Sequence, residues 1–335
     1  MNGTQAAGAL LQVEDLRVAF AADGREIRAV DGLSYQVDAG RTLAIIGESG
    51  SGKTVGCRAL MGLLPASAEV SGSARLRGTE MIGLSDSELR RHRGQDMAMI
   101  FQDPARSLNP TMRVGVQITE AIRAHRKVAR SEAHVQAVEL LRLVRIPAPE
   151  RRFHEYPHQL SGGMRQRIMI AMALACRPKL LIADEATTAL DVTTQAQIME
   201  LLLDLQAELG MALILISHDL GLAASYADEV IVMYAGKIVE QAPAIRLFGA
   251  GGTVKMRYTR ALLDAIPHLE RAAHTELPVV SGRPPDPTAL PAGCSFAPRC
   301  PAAADDCAAK TPPLTEHAPG HRWACWHPCE NGVPA

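Results

Sequence analysis

The chain has 335 residues, 47% of them hydrophobic and 21% charged, with a formal net charge of -1. This is ordinary globular usage with enough apolar residues for a large core; it excludes wholesale disorder or a fibrous repeat and argues against a strongly basic nucleic-acid surface. No apolar run approaches the roughly 20 residues that cross a bilayer, and Met1 to Gly8 has neither the positive nor the apolar part of a secretory signal, so a cytosolic chain is expected.

In chain order, Leu11 to Phe20 alternates through Leu11, Val13, Leu16 and Val18, with a slip near Glu14 and Asp15, and predicts a strand. Asp23-Gly24 marks a turn, Leu33 to Val37 alternates again, and Asp38-Ala39-Gly40 breaks before the buried-looking run Thr42 to Ile46. A glycine-rich loop and an amphipathic helix to Leu64 come next. From about Ser107 to Tyr156 the spacing becomes helical, with Val135, Val138, Leu141 and Val144 on one face, and predicts a helical subdomain. Leu180 to Ala183, Leu213 to Ile216 and Val230 to Met233 are short apolar runs between helical segments, as buried parallel strands are, so an α/β core encloses the helical insertion. From about Gly282, prolines at 284, 285, 287 and 291 read as a linker into a tail that holds five of the seven cysteines. Cys57 and Cys176, in apolar surroundings, read as core residues.

Gly47-Glu48-Ser49-Gly50-Ser51-Gly52-Lys53-Thr54 fits the GxxxxGK[ST] phosphate loop and stands between a predicted buried strand and a helix. Glycines there let the backbone aim N–H groups at phosphate oxygens, Lys53 adds charge, the helix N-terminus adds its dipole, and Thr54 is expected to reach Mg²⁺. Leu180-Leu181-Ile182-Ala183-Asp184-Glu185 is an apolar strand ending in two carboxylates, where strand ends line a ligand crevice. Asp184 is read as holding magnesium through water and Glu185 as the base that polarises the attacking water. In Leu160-Ser161-Gly162-Gly163-Met164-Arg165-Gln166-Arg167, Ser161 caps a helix whose first N–H groups, left uncovered by Gly162 and Gly163, form a second anion site.

These motifs in this order resemble the ABC ATPases over residues 11 to 265. The resemblance implies an α/β P-loop NTPase with a RecA-like core, an antiparallel β subdomain and an α-helical subdomain at about 105–175, within a nucleotide-binding domain at 1–265. It makes Gln102 similar to the Q-loop glutamine, which serves both catalysis and magnesium, Asp191 in Ala189-Leu190-Asp191 similar to the D-loop aspartate, and His218 similar to the switch histidine. Phe20 is similar to the aromatic that stacks on adenine, although core packing suits it equally. ATP and Mg²⁺ are the implied cofactors, and a closed dimer is implied in which Ser161 of one chain covers the nucleotide of the other.

The stretch Met164 to Met199 further resembles the oligopeptide/dipeptide importer subfamily, as does the tail at 266–335, a Cys-rich C-terminal extension with Cys294, Cys300, Cys307 and Cys325 spaced C-x5-C-x6-C-x17-C. Two departures stand out: Ala186 where the family has proline, and Met256-Arg257-Tyr258 where the subfamily shows His-Pro-Tyr. Four cysteines in a cytosolic chain suit soft-metal ligation better than disulfides. The resemblance implies a [4Fe–4S] centre; zinc is the alternative, although the close C-x2–4-C pairs common in zinc sites are absent among these four, and unligated thiols remain open. Cys329 and His327 are candidate substitute ligands.

The implied partners are a second ATPase chain in a heterodimer, two transmembrane permeases and an extracytoplasmic binding protein, with no nucleic acid and a peripheral place on the cytoplasmic face of the membrane. The implied work is ATP hydrolysis that energises import of di- or oligopeptides. Import of another cargo such as nickel or glutathione, and a non-transport ABC ATPase, stay open as alternatives.

Overall fold

The computed structural model describes residues 9–22, 24–103, 107–188, 190–266 and 279–330. Asp23 of the expected turn and Ala189 lie outside the described residues. The first elements are β1 (Leu11–Ala22), β2 (Arg25–Val37), β3 (Thr42–Ile46), α1 (Lys53–Leu60), β4 (Ala68–Leu76), β5 (Thr79–Glu80), α2 (Asp86–His92) and β6 (Met97–Ile100). Then come α3 (Val114–His125), α4 (Arg130–Leu143), α5 (Pro149–Arg152), α6 (Gly162–Ala173), β7 (Leu180–Asp184), α7 (Val192–Leu209), β8 (Ala212–Ser217) and α8 (Leu220–Tyr226). The remainder is β9 (Glu229–Tyr234), β10 (Lys237–Pro243), α9 (Ala244–Phe248), α10 (Arg257–Asp264), α11 (Asp305–Ala309), β11 (Thr315–Ala318) and β12 (His321–Trp323). No helix among the described residues is long and apolar enough to cross a membrane.

Contacts divide the chain into two interleaved units, and each is described by itself. In the first, drawn mainly from residues 76–216, β6, β7 and β8 run parallel, with Met97 opposite Leu180, Ile100 opposite Ala183, and Asp184 opposite Ile216. Every residue of the three strands is buried, which is why each reads as an unbroken apolar run instead of an alternation. Helices α3, α4 and α6 pack on one another, and α6 also packs on β6 and α7. Helix α3 buries Val114, Ile118 and Ile122, each fully buried aliphatic side chain contributing about 1.5–3 kcal/mol. The ring of Phe153 lies so close to Gly115 that a Cβ there would sit 2.2 Å from it. Helix α4 departs from the expected face, because it buries Ala133, Ala137, Val138 and Leu141 while Val135 is 56% exposed. Val135 sits two residues, about 200°, from Ala137 at the centre of the buried stripe, so a three-residue spacing alone misplaces it.

The second unit, residues 12–36, 42–75 and the chain from 217, has β3 parallel to β9, with Leu43 opposite Glu229 and Ile46 opposite Val232. Strand β9 returns antiparallel into β10 through Ala235 and Gly236, whose φ values of 47° and 79° are those of a tight hairpin turn. Strand β12 pairs antiparallel with β10, Glu240 opposite Trp323, and β11 pairs with β12. A separate sheet orders β2, β1 and β4 side by side. The slip expected near Asp15 is a local distortion of β1, Asp15 having φ 47°. The core around β9 gathers Ala44, Ile46, Val230, Val232, Tyr234, Tyr258 and Phe296.

Candidate functional site

In the second unit the loop between β3 and α1 carries the candidate phosphate-binding residues Gly47 to Thr54. Gly47 has φ 151° and Gly52 φ 98°, and a Cβ at either would lie 2.3 Å from a backbone oxygen, that of Met233 or of Ala29, so both positions require glycine. Gly52 also occupies the N-cap of α1 without a side-chain cap, which leaves the first amides of the helix aimed into the loop. Lys53 is buried, and its Nζ donates to the carbonyls of Gly47 at 2.7 Å and Glu48 at 2.8 Å and reaches Ser51 Oγ at 3.4 Å. Ser49 and Gly50 are exposed, Ser51 is buried and Thr54 is half-buried.

The loop is braced from behind. The Glu48 N–H donates to Tyr258 Oη at 2.8 Å, and the Glu48 carboxylate takes a two-pronged ion pair from Arg299, at 2.6 and 3.0 Å. Burial pushes the Tyr258 hydroxyl well above the ordinary range, and hydrogen bonding to Glu48 raises the Arg299 guanidinium further. Arg299 was not legible in the sequence, since it meets Glu48 across 251 residues. Phe20 is half-buried near the end of β1, and His218 is exposed between β8 and the Asp219 cap of α8, where Asp219 accepts from Gly221 and Leu222.

In the first unit, Asp184 closes β7 and is buried, while Glu185 turns out of the strand with φ 47°, a positive value uncommon for a residue with a Cβ. Its N–H is held by Ile216 O at 3.0 Å, and the turn is closed by Thr188 N–H to Glu185 O at 3.2 Å with Ala186 buried inside it. Gln102 Nε2 donates to Glu185 Oε2 at 2.7 Å and Thr188 Oγ1 approaches the same oxygen at 3.2 Å, so two of the expected catalytic side chains meet. Ser161 caps α6 through Met164 N–H at 3.3 Å, and Ser161 and Gly162 are exposed at its tip. Gly163 packs so that an added Cβ would lie 2.9 Å from Thr194 Cγ2. Asp191 caps α7 by accepting from the Thr194 N–H at 2.9 Å and the Thr194 hydroxyl at 2.8 Å, which hold its carboxyl below the ordinary range.

Among the tail cysteines, Cys294, Cys300, Cys307 and Cys325 line one apolar cavity with Phe296, Trp326 and His327. The Cys294 N–H donates to Cys307 O at 2.7 Å, tying two of the four cysteine positions together through the backbone. Burial raises the Cys294 thiol and pushes Cys325 up to about 11, the neighbouring thiols adding to both. Cys329 stands apart, its N–H on Lys255 O. Asp306, Cys307 and His327 also bring ligand atoms within 4.8 Å of one another, a mixed donor set at the rim of the cavity. The cysteine described at each of these positions is free of disulfide.

A phosphate loop, a strand ending in Asp-Glu and a serine-capped glycine helix on this fold define the ATP-binding cassette class, and the family described as ABC transporter matches residues 30–188. Its fold is also that of the ATP-binding cassette MJ0796, solved as a dimer bound to ADP and Pi, with TM-score 0.62 and 26% identity over 70% of this chain and 98% of that one. The family described as oligopeptide/dipeptide transporter, C-terminal region, matches residues 239–307. The oligopeptide transport ATP-binding protein OppD of Escherichia coli (strain K12) is 48% identical over 97% of this chain and 95% of its own length. The dipeptide transport ATP-binding protein DppD of the same strain is 48% identical over 96% of this chain and 98% of its own. The chain belongs to the ATP-binding proteins of the oligopeptide/dipeptide ABC transporters.

Proposed function

We propose that this chain hydrolyses ATP to energise the import of di- and oligopeptides, working on the cytoplasmic face of a membrane with permease subunits and an extracytoplasmic binding protein. The observation that carries the peptide cargo is near-half identity, along almost the entire length, to ATP-binding proteins of oligopeptide and dipeptide transport. In this reading Gly47 to Thr54 holds the phosphates, Thr54, Gln102 and Asp184 serve magnesium, and Glu185, oriented by Gln102, polarises water. Phe20 faces adenine and His218 the γ-phosphate. The exposed Ser161 and Gly162 tip, flanked by Asp191, closes over the nucleotide of a second, non-identical ATPase chain. Its exposure is what such a contact requires.

The four cysteines around the apolar cavity suit a [4Fe–4S] cluster, which would tie four points of the tail together and supply structure without entering hydrolysis. Iron and sulfide analysis of anaerobically purified protein tests this; stoichiometric zinc held by the Asp306, Cys307 and His327 set would replace it. For the principal function, the assembled transporter in vesicles should hydrolyse ATP faster when binding protein and peptide are supplied. Stimulation by nickel or glutathione in place of peptide would move the cargo, and turnover indifferent to Ser161→Arg combined with the matching change at the signature serine of the second chain would remove the closed dimer.

A further inference from the structure

Arg299 lies in the tail, between Cys294 and Cys300, yet its side chain is only 4% exposed and its guanidinium is spent entirely on fixed acceptors. Nε donates to Ser281 O at 2.7 Å, Nη2 to Val280 O at 3.3 Å, and Nη1 to Tyr234 Oη at 3.2 Å. The remaining prongs reach the two carboxylate oxygens of Glu48, at 2.6 and 3.0 Å. A planar fork on a planar carboxylate is a strongly directional ion pair, and the burial of the guanidinium keeps water from its donors, while the Glu48 carboxylate stays partly exposed.

Glu48 is the second residue of the phosphate loop. Its N–H is held by Tyr258 Oη at 2.8 Å and its carbonyl by Lys53 Nζ at 2.8 Å, so the Arg299 fork is the third fixed point on one residue. Without it, a carboxylate would be loose next to a cradle meant for a triphosphate, where like charges repel, and the carbonyl that shares the Lys53 ammonium would be free to shift. The adjoining proline segment follows the same surface: Pro284, Pro285 and Pro287 line a cleft with Glu48, Ser49, Gly50 and Ser51.

We propose that Arg299 is a positioning residue for ATP: by anchoring Glu48 it sets the phosphate loop, and so makes ATP affinity depend on the cysteine-bearing region in which it is embedded. The proposal rests on the reading of Gly47 to Thr54 as the nucleotide loop, and Lys53→Ala tests that reading separately, since it should abolish ATP binding whatever stands at 299.

The experiment is a double-mutant cycle in the assembled transporter, with KM and kcat for MgATP measured for Arg299→Ala, Glu48→Gln and the pair. Arg299→Ala is expected to raise KM about tenfold with kcat within about twofold, tenfold being about 1.4 kcal/mol of binding. In the Glu48→Gln background the same change should add less than about twofold, because the fork is already broken. Arg299→Lys, which keeps the charge and loses the fork, should fall between, and it carries the cycle if the alanine variant does not fold. A KM within twofold of the parent in a folded Arg299 variant, or an equal rise in both backgrounds, overturns the proposal; the latter is what mere unfolding of the tail would give.

Discussion

Replacing Glu185 by glutamine separates basicity from shape. Gln102 Nε2 and Thr188 Oγ1 stand 2.7 and 3.2 Å from Glu185 Oε2, and an amide oxygen at the same place can still accept from both. The backbone at φ 47°, with its N–H on Ile216 O, is as accessible to glutamine as to glutamate. Binding contacts therefore weaken only by the difference between a charge-assisted and a neutral hydrogen bond, about 1 kcal/mol, which bounds the change in KM at about fivefold. What disappears is the proton acceptor. A positioned general base contributes about 10²–10⁴ in rate, or about 2.7–5.5 kcal/mol of barrier. The expected result in the assembled transporter is a kcat for phosphate release lowered by that factor, with ATP still bound and the cassettes held closed around it. Parental kcat in Glu185→Gln would refute the base assignment, and a loss of ATP affinity as large as the loss of rate would show that the residue binds instead of reacting.

Three further outcomes follow from the geometry. Gly52→Ala forces a φ of 98° on a residue with a Cβ and drives that Cβ to 2.3 Å from Ala29 O, so the loop must move: nucleotide binding measured by titration should be lost, with about 1–2 kcal/mol of stability lost from the backbone alone. Glu240, fully buried, accepts from Lys255 N–H at 2.7 Å, Met256 N–H at 3.2 Å and His321 Nε2 at 2.8 Å; Glu240→Ala orphans all three and should cost about 3–5 kcal/mol, seen as a lowered unfolding midpoint, with Glu240→Gln milder. Asp191 has its folded pKa depressed by Thr194, so its cap on α7 stabilises fully above the unfolded carboxylate value of about 3.9 and is lost as pH falls through the lower folded value. Hydrogen exchange in the first turn of α7 should rise only in that acid window, and Asp191→Asn should remove the pH dependence.

Strands buried on both faces were the easiest elements to read, because Leu180 to Ala183 and Leu213 to Ile216 carry apolar residues without interruption and short apolar runs between helices have few other uses. The GxxxxGK[ST] motif was legible for a different reason: its spacing is local, so Gly47 to Thr54 lie within eight residues. The rim of helix α4 does not follow from three-residue spacing, because Val135 satisfies that spacing while lying on the solvent side of the stripe centred on Ala137 and Leu141. The brace on Glu48 was invisible in principle. Tyr258 and Arg299 stand 210 and 251 residues away, in stretches whose local pattern does not point back to the loop. Likewise the meeting of Gln102 with Glu185 follows from β6 lying beside β7, a pairing that neither segment announces by itself.

Strand β12 has a consequence for how this protein can be shortened. By pairing with β10 it covers backbone donors and acceptors on a strand buried from Ile238 to Ala242, whose Glu240 points inward. A chain ended before residue 279 would keep every nucleotide motif and yet present β10 as a naked sheet margin, the kind of surface on which a neighbouring molecule adds its own strand. Such a truncated cassette would self-associate and precipitate on concentration, so solubility itself becomes a readout of whether the last segment is docked.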